Sequence, residues 1–119
     1  MISKTSKIKN YRFGLFAELI SCIFLFFKGY RILEHRYKTK LGEIDIIAIK
    51  GRNLCFIEIK ARKLKADEVL TSKQQLRIID AAKHYISKKS SFGDYNYRFD
   101  LIIFTPPLAL KHIISAWHE

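Results

Sequence analysis

Three ionisable side chains interrupt two strongly apolar segments of this sequence. Asp45 lies in the segment GEIDIIAIK, and Glu58 and Lys60 lie in LCFIEIKAR. Burying a carboxylate among apolar residues is costly unless the carboxylate is paired, and two carboxylates held close together repel each other. A divalent cation removes both penalties, and carboxylate oxygens suit Mg²⁺ or Mn²⁺, which retain several waters. The pattern predicts a metal site at Asp45 and Glu58, with Lys60 positioned to act on a metal-bound water or on a phosphate.

The two apolar segments must be brought together for this chemistry to occur. They are joined by the turn-forming residues Lys50–Asn53, which predict a β-hairpin. Because side chains alternate along a strand, Glu43 and Asp45 are expected on one face of the first strand. The second strand is expected to present three charged side chains on one face: Glu58, Lys60 and Arg62. A cross-strand salt bridge from Lys60 to either acid is the structural alternative to a metal site.

Composition restricts the class of protein. The chain has 119 residues, of which 49% are hydrophobic, so we expect one folded domain, alone or as a small oligomer such as a homodimer. Its 22 Lys and Arg against 11 Asp and Glu give a net charge of +11 and favour a polyanionic partner, with nucleic acid ahead of an anionic membrane. Two cysteines without CxxC spacing indicate a reducing cytoplasm. The sequence contains no repeat, glycine-rich phosphate loop or Ser-His-Asp arrangement.

The N-terminal region predicts a basic arm followed by a helix. Residues 1–9 carry three lysines and no acid, so we expect a flexible arm, with a single domain over residues 10–119. The helix is expected from Asn10 to about Lys28, with Gly29 as its stop. The apolar run of this helix also resembles a membrane anchor. However, the run is shorter than the about 20 residues that a membrane span needs, and Glu18 interrupts it. Glu18 is expected either to approach the sheet or to lie at the polar edge of the helix.

The remaining elements follow from periodicity and turn residues. Tyr30–Leu33 begins a strand, and residues 34–40 form a polar connection. A second helix starts at Thr71 or Ser72, with a glutamine three residues later as in a capping box. Its expected buried stripe consists of Leu76, Ile79, Ala82 and Ile86. A strand follows from Arg98, in which Arg98 and Asp100 form an ion pair, and the segment after Pro106 and Pro107 is either an edge strand or a short helix.

Several side chains near these elements are candidates for contacts with nucleic-acid phosphates. They are Arg36, Lys38 and Lys40 in the polar connection, Arg62 after the hairpin, and Lys73 and Gln74 at the start of the second helix. As bare sequence, a lysine and a glutamine on a helix surface are also typical of solvated side chains. The order of elements predicts an α/β domain with a mixed central β-sheet flanked by helices.

The motifs also carry a family resemblance. The arrangement of Asp45 followed by Glu58-Ile59-Lys60 resembles the PD-(D/E)xK core of restriction-endonuclease-like nucleases and Holliday-junction resolvases, with Ile44 in place of the proline. GEIDIIA, FIEIKAR, SKQ and RFD together resemble the YraN-like family of small bacterial proteins, and the resemblance extends from about Gly14 onward. It implies a restriction-endonuclease-like three-layer fold.

The resemblance also implies a function. It suggests a metal-dependent, nuclease-like protein that acts on DNA in the cytoplasm, in repair or recombination, without a membrane partner. Asp45, Glu58 and the Ile59 carbonyl would hold Mg²⁺ or Mn²⁺, Glu18 would assist, and Lys60 would activate water. A non-catalytic nucleic-acid-binding module of the same fold is the alternative.

Overall fold

The computed structural model describes residues 4–61 and 70–118, with side chains from Arg12 onward within those ranges. Two helices and five strands make up the fold, with a short 3₁₀ turn at Ser90–Phe92. In chain order they are α1 (Lys4–Phe27), β1 (Arg31–Lys38), β2 (Glu43–Lys50), β3 (Asn53–Ala61), α2 (Ser72–Lys88), β4 (Asn96–Thr105) and β5 (Ala109–Trp117).

The strands form one mixed sheet in the order β1-β2-β3-β4-β5. All neighbours are antiparallel except β3 and β4, which run parallel because α2 carries the chain across one face of the sheet between them. The helix α1 packs on the opposite face. This arrangement confirms the predicted α/β fold and is consistent with a three-layer restriction-endonuclease-like fold.

Each face of the sheet has its own apolar core. On the α2 side, side chains such as Ile47, Leu54 and Phe56 pack against Ile79 and Tyr85 of the helix. On the α1 side, a smaller cluster contains the alternating residues of the same strands, which are Ile46, Ala48, Cys55 and Ile57. These residues pack with Leu25 of α1. Alternate residues of β2 and β3 therefore point into two different cores. Since both faces of these strands are buried, their sequences are continuous apolar runs.

The first helix differs from the prediction at its start. It begins at Lys4, not at Asn10, so residues 4–9 belong to the helix and not to an arm that precedes it. Its end agrees with the expected stop at Gly29, which has φ +90° and donates to the Phe26 carbonyl while Tyr30 donates to the Leu25 carbonyl. These two bonds form a Schellman motif. In the described part of the chain, no helix is long and apolar enough to cross a membrane.

Three other expectations are corrected or decided by the structure. Residues 34–38, predicted as a polar connection, continue β1 because they pair with residues 43–47 of β2. The buried stripe of α2 is formed by Ile78, Ile79, Ala81, Ala82 and Tyr85, and Leu76 is exposed. The last element is an edge strand, β5, which pairs with β4.

The helix α2 starts as the sequence predicted. Thr71 is the N-cap, and its hydroxyl accepts a hydrogen bond from the Gln74 backbone N–H at 3.1 Å. The Gln74 side chain accepts one from the Thr71 N–H at 2.9 Å. This capping box fixes the first turn of α2 beside the ends of β2 and β3.

Candidate metal centre and adjoining cleft

The hairpin of β2 and β3 opens where the two acids lie. The strands pair from Lys50 and Asn53 as far as Ile46 and Ile57. One residue further along each strand are Asp45 and Glu58. The Asp45 carboxylate accepts a hydrogen bond from the Ile59 backbone N–H at 2.8 Å. A side chain therefore takes the place of a backbone partner, and the opening lets the two carboxylates approach each other.

The alternation of β2 is interrupted at Asp45. Ile44 belongs to the core on the α2 side, whereas Ile46 belongs to the core on the α1 side. In a regular strand these two residues would share a face, so the simple alternation expected for Glu43 and Asp45 fails at this point. On the neighbouring strand, Arg36 lies between residues that pair with Ile44 and Ile46 and has φ +57°, in the left-handed region. Such backbone costs about 1–3 kcal/mol, and residues held in it cluster at functional sites.

Glu58 has an unusual protonation equilibrium. Burial, followed by hydrogen bonding to Asp45 and repulsion from its charge, raises the pKa of Glu58 to about 9, and the positive charge of Lys60 opposes the increase. Within the described residues no salt bridge joins Lys60 to either carboxylate. The structural alternative of a cross-strand ion pair is therefore not what holds this site together. Two carboxylates share a confined space, and at neutral pH one of them is kept uncharged.

A cleft opens from Glu58 toward α2. Its cavity has a volume of about 320 Å³ and is lined by Thr39, Lys40, Gly42, Glu43, Glu58, Gln74, Arg77 and Ile78. The two cations of this lining, Lys40 and Arg77, come from the β1–β2 loop and from α2. They lie around a cavity that has Glu58 in its wall. The cleft therefore places two cations beside Glu58, in a lining that also contains Glu43.

The loop between β1 and β2 is fixed against α2. The Thr39 hydroxyl accepts hydrogen bonds from the backbone N–H groups of Leu41 and Gly42, both at 3.0 Å, and donates to the Gly42 carbonyl. A Cβ on Gly42 would lie 2.5 Å from the Arg77 carbonyl oxygen. Glycine is required because the loop and the helix backbone approach so closely. The backbone positions that carry Lys40 and Arg77 are therefore held close together.

Glu18 lies against β1. Its carboxylate accepts hydrogen bonds from Arg36 Nε at 3.0 Å and from His35 Nε2 at 3.2 Å, and Arg36 Nη2 lies 2.9 Å away in an ion pair. Since Arg36 is beside Asp45 in the strand register, Glu18 is one strand away from the carboxylate pair. It holds the irregular segment of β1 through Arg36.

The predicted phosphate contacts have different surroundings. Lys38, Lys40 and Lys73 are exposed, and Lys40 lines the cleft. Arg36 is engaged by Glu18. Gln74 lines the cleft and also caps α2. Arg62 lies outside the described residues.

Arg77 is the cleft residue that the sequence reasoning missed. From the sequence, Arg77 is expected only to be exposed on α2, with no contact to nucleic acid. It is three residues after Gln74, so the two share a face of α2. That spacing was the available signal, but the contribution of the β1–β2 loop to the same cavity requires the tertiary structure.

A second polar cluster lies on the α1 side of the sheet. The fully buried Asp100 accepts hydrogen bonds from Arg98 Nε and Nη2, His112 Nε2 and the Ser115 N–H, at 2.8–3.0 Å. The predicted pair of Arg98 with Asp100 is confirmed. Lys28 Nζ is 3.0 Å from His112 Nδ1, so His112 links the end of α1 to Asp100. All four hydrogen bonds to Asp100 come from within the sheet, which indicates a structural cluster.

The donor set at the hairpin fits a hard cation. Among the described residues, no group of three or more His, Cys, Asp and Glu side chains converges to hold a metal. Structural zinc sites need such a group. Mg²⁺ is commonly held by one or two carboxylates and several waters, which Asp45 and Glu58 can satisfy. The chemistry of the donors therefore matches Mg²⁺ or Mn²⁺.

Together these features define a class: a small three-layer α/β protein with a carboxylate pair and a lysine at the open end of its central hairpin. Residues 17–104 match the family described as "Uncharacterised protein family UPF0102". A UPF0102 protein of Ehrlichia chaffeensis is 45% identical, over 93% of this chain and 96% of that protein. UPF0102 proteins of Ehrlichia ruminantium and Parvibaculum lavamentivorans are 42% and 39% identical, over 89% and 90% of this chain and 84% and 82% of theirs. The chain belongs to the UPF0102 family, which confirms the YraN-like resemblance.

Proposed function

We propose that this protein is a metal-dependent nuclease of the PD-(D/E)xK type that hydrolyses DNA phosphodiester bonds. The observation that carries the proposal is the convergence of Asp45 and Glu58 at the open end of the hairpin. The cleft beside them has a volume of about 320 Å³, and Lys40 and Arg77 in its lining can contact a phosphate. The net charge of +11 supports a polyanionic substrate.

The metal ligands in this proposal are Asp45, Glu58 and the Ile59 carbonyl, and the ion is Mg²⁺ or Mn²⁺. A bound cation would lower the pKa of a coordinated water and stabilise negative charge on the phosphate. The hydrogen bond from the Ile59 N–H fixes one Asp45 oxygen and leaves the carboxylate directed into the opening. A cation held by these residues would favour ionised Glu58, because its positive charge would replace the proton that this side chain otherwise holds.

The surrounding side chains have distinct tasks. Lys60 orients the attacking water, and its positive charge already acts on Glu58. Lys40 and Arg77 hold the phosphate in the cleft. Glu18 positions Arg36 and the irregular part of β1 beside Asp45. Lys38 and Lys73 contact the backbone of the nucleic acid further from the site.

Cleavage of a panel of linear, single-stranded and branched DNAs in Mn²⁺ and in Mg²⁺ tests the proposal. We expect cleavage by the native protein and its loss in Asp45→Asn and Lys60→Ala. Lys60→Ala should still bind metal by calorimetry, whereas Asp45→Asn should not, because Asp45 is a proposed ligand and Lys60 is not. Lys111→Ala on the exposed edge strand β5 is the charge-matched control and should cleave normally. Undiminished cleavage by both site variants would contradict the assignment.

A nucleic-acid-binding module without turnover is the second candidate. It is favoured by the small number of convergent metal ligands among the described residues, together with the high positive charge. Both candidates predict salt-dependent binding to duplex DNA, with log K falling by about 0.9 per phosphate neutralised. The binding module is the better description if affinity depends on salt in this way while metal neither stabilises the protein nor permits cleavage. We place either activity in the cytoplasm, where the two free thiols stay reduced.

A further inference from the structure

The outer face of α1 carries a row of uncovered apolar side chains. We call it the α1 seam, and it consists of Phe16, Leu19, Ile23, Phe26 and Phe27. Their exposed fractions are 44%, 57%, 45%, 69% and 81%. The inner face of the same helix is already buried on the sheet, through Ala17, Ser21 and Leu25. A helix that is apolar on all sides is normally buried on all sides, so the seam indicates a missing contact.

The spacing of the seam specifies the kind of contact. Phe16, Leu19, Ile23 and Phe26 are separated by three, four and three residues, the pattern of positions a and d in a coiled coil. The side chains of such a narrow seam can pack between the side chains of one facing helix. A helix that lies on a lipid surface instead needs a broad apolar arc with basic residues along its opposite face. The opposite face of α1 is packed on the sheet.

Charge does not oppose the approach of an identical helix along this seam. Between Phe16 and Phe27 the one charged residue in the sequence is Glu18, which is turned toward β1 and paired with Arg36. The basic residues of the helix lie beyond the seam, toward the N-terminus and at Lys28. Between Phe16 and Phe27, two copies of the seam therefore bring no like charges into contact.

The uncovered area is sufficient for a dimer. A Phe side chain offers about 150–250 Å², so at these exposed fractions the seam leaves on the order of 600 Å² uncovered in each copy. Two copies would bury roughly 1,200 Å² in total, which is the lower limit for a specific protein–protein interface.

We propose that the α1 seam is the dimer interface of this protein and that its occupant is the α1 seam of a second copy. In a two-fold symmetric dimer, the same seam residues are buried in both copies. This inference does not depend on the proposed nuclease activity.

Sedimentation equilibrium of the native protein and two variants tests the interface. Leu19 and Leu76 are 57% and 59% exposed on α1 and α2, so Leu19→Glu and Leu76→Glu make the same chemical change at the same exposure. We expect a native dimer that persists in high salt, since apolar association is not weakened by screening. Leu19→Glu should weaken dimerisation by about a hundredfold or more, because two charges are buried per dimer. Leu76→Glu should dimerise normally.

Two further measurements cover the remaining outcomes. If Leu19→Glu does not give a native circular-dichroism spectrum, Phe27→Ser replaces it, because Phe27 is 81% exposed and contributes little to the fold. Its expected effect is again a weaker dimer.

Co-sedimentation with phosphatidylglycerol vesicles is the other measurement. A native protein that is monomeric at all concentrations overturns the proposal, and Leu19-dependent binding of that monomer to vesicles would assign the seam to a lipid surface instead.

Discussion

Replacing Glu58 with glutamine should stabilise the metal-free protein. Glutamine keeps the shape and hydrogen-bonding capacity of a protonated glutamic acid but cannot ionise. In the folded protein, burial and the neighbouring Asp45 raise the pKa of Glu58 to about 9, whereas in the unfolded chain it titrates near its ordinary value. At neutral pH the folded protein must therefore take up a proton that the unfolded chain does not hold, and glutamine removes this cost.

The magnitude follows from the difference in pKa. Each pKa unit corresponds to about 1.4 kcal/mol, and pH 7 is 2.5 units above the ordinary pKa of 4.5, so holding Glu58 protonated at pH 7 costs at most about 3.5 kcal/mol. Local relaxation reduces this, and we expect Glu58→Gln to increase the free energy of unfolding by about 1–3 kcal/mol at pH 7. For a chain of this size the melting temperature should rise by about 5–10 °C. The sign is set by the folded state binding more protons, so native stability falls as pH rises from about 4.5 to about 9.

Urea denaturation from pH 5 to pH 8 measures this effect directly. The stability difference between Glu58→Gln and the native protein should be small at pH 5 and should increase with pH. Saturating Mn²⁺ should stabilise the native protein by binding to the folded state, and should not stabilise the variant, which lacks the ligand. A variant that is less stable than the native protein at pH 8 without metal would refute the reasoning, since Glu58 would then be a charged, paired group in the fold.

Three further substitutions test how the site is supported, each measured as a change in the urea midpoint at constant m-value. Asp100→Asn should destabilise by about 3–5 kcal/mol because it leaves the largely buried Arg98 guanidinium without its counter-charge. Burial opposes the ionisation of Asp100, but the hydrogen bonds from its partners outweigh it and lower its pKa, so its stabilisation is present above the ordinary pKa and is lost as pH falls through the depressed value. Gly42→Ala should cost about 1–3 kcal/mol, since the new Cβ would lie 2.5 Å from the Arg77 carbonyl. Gly14→Ala is its control, with no atom within 4 Å, and should stabilise α1 by about 0.5–1 kcal/mol. Thr71→Ala removes the capping box and should cost about 1 kcal/mol.

The sequence by itself determined the features that depend on near neighbours. The turn at Lys50–Asn53 placed Asp45 and Glu58 on adjacent strands, and the structure confirms the hairpin. Thr71 and Gln74 marked the start of α2, and Gly29 the end of α1. These signals are reliable because each one is satisfied by residues only a few positions away, whatever the rest of the chain does.

Sequence periodicity was less reliable where packing against the sheet decides which residues are buried or paired. It assigned Leu76 to the buried face of α2, but that side chain is exposed, because the sheet contacts the helix through Ile78, Ala81 and Tyr85 instead. It also ended β1 too early, since residues 34–38 are polar yet pair with β2. Backbone pairing with a neighbouring strand decided this segment against its local composition.

Only the tertiary structure decided how the site is assembled. The hydrogen bond from the Ile59 N–H to the Asp45 carboxylate forms where β2 and β3 stop pairing, next to the irregular backbone of β1 at Arg36. The cleft exists because the loop carrying Lys40 is fixed to the α2 backbone beside Arg77. The exposure of the α1 seam likewise depends on which side of α1 the sheet covers. Each of these features joins residues distant in the sequence, and their distances are set by the packing of whole helices against the sheet, which no local pattern of residues encodes.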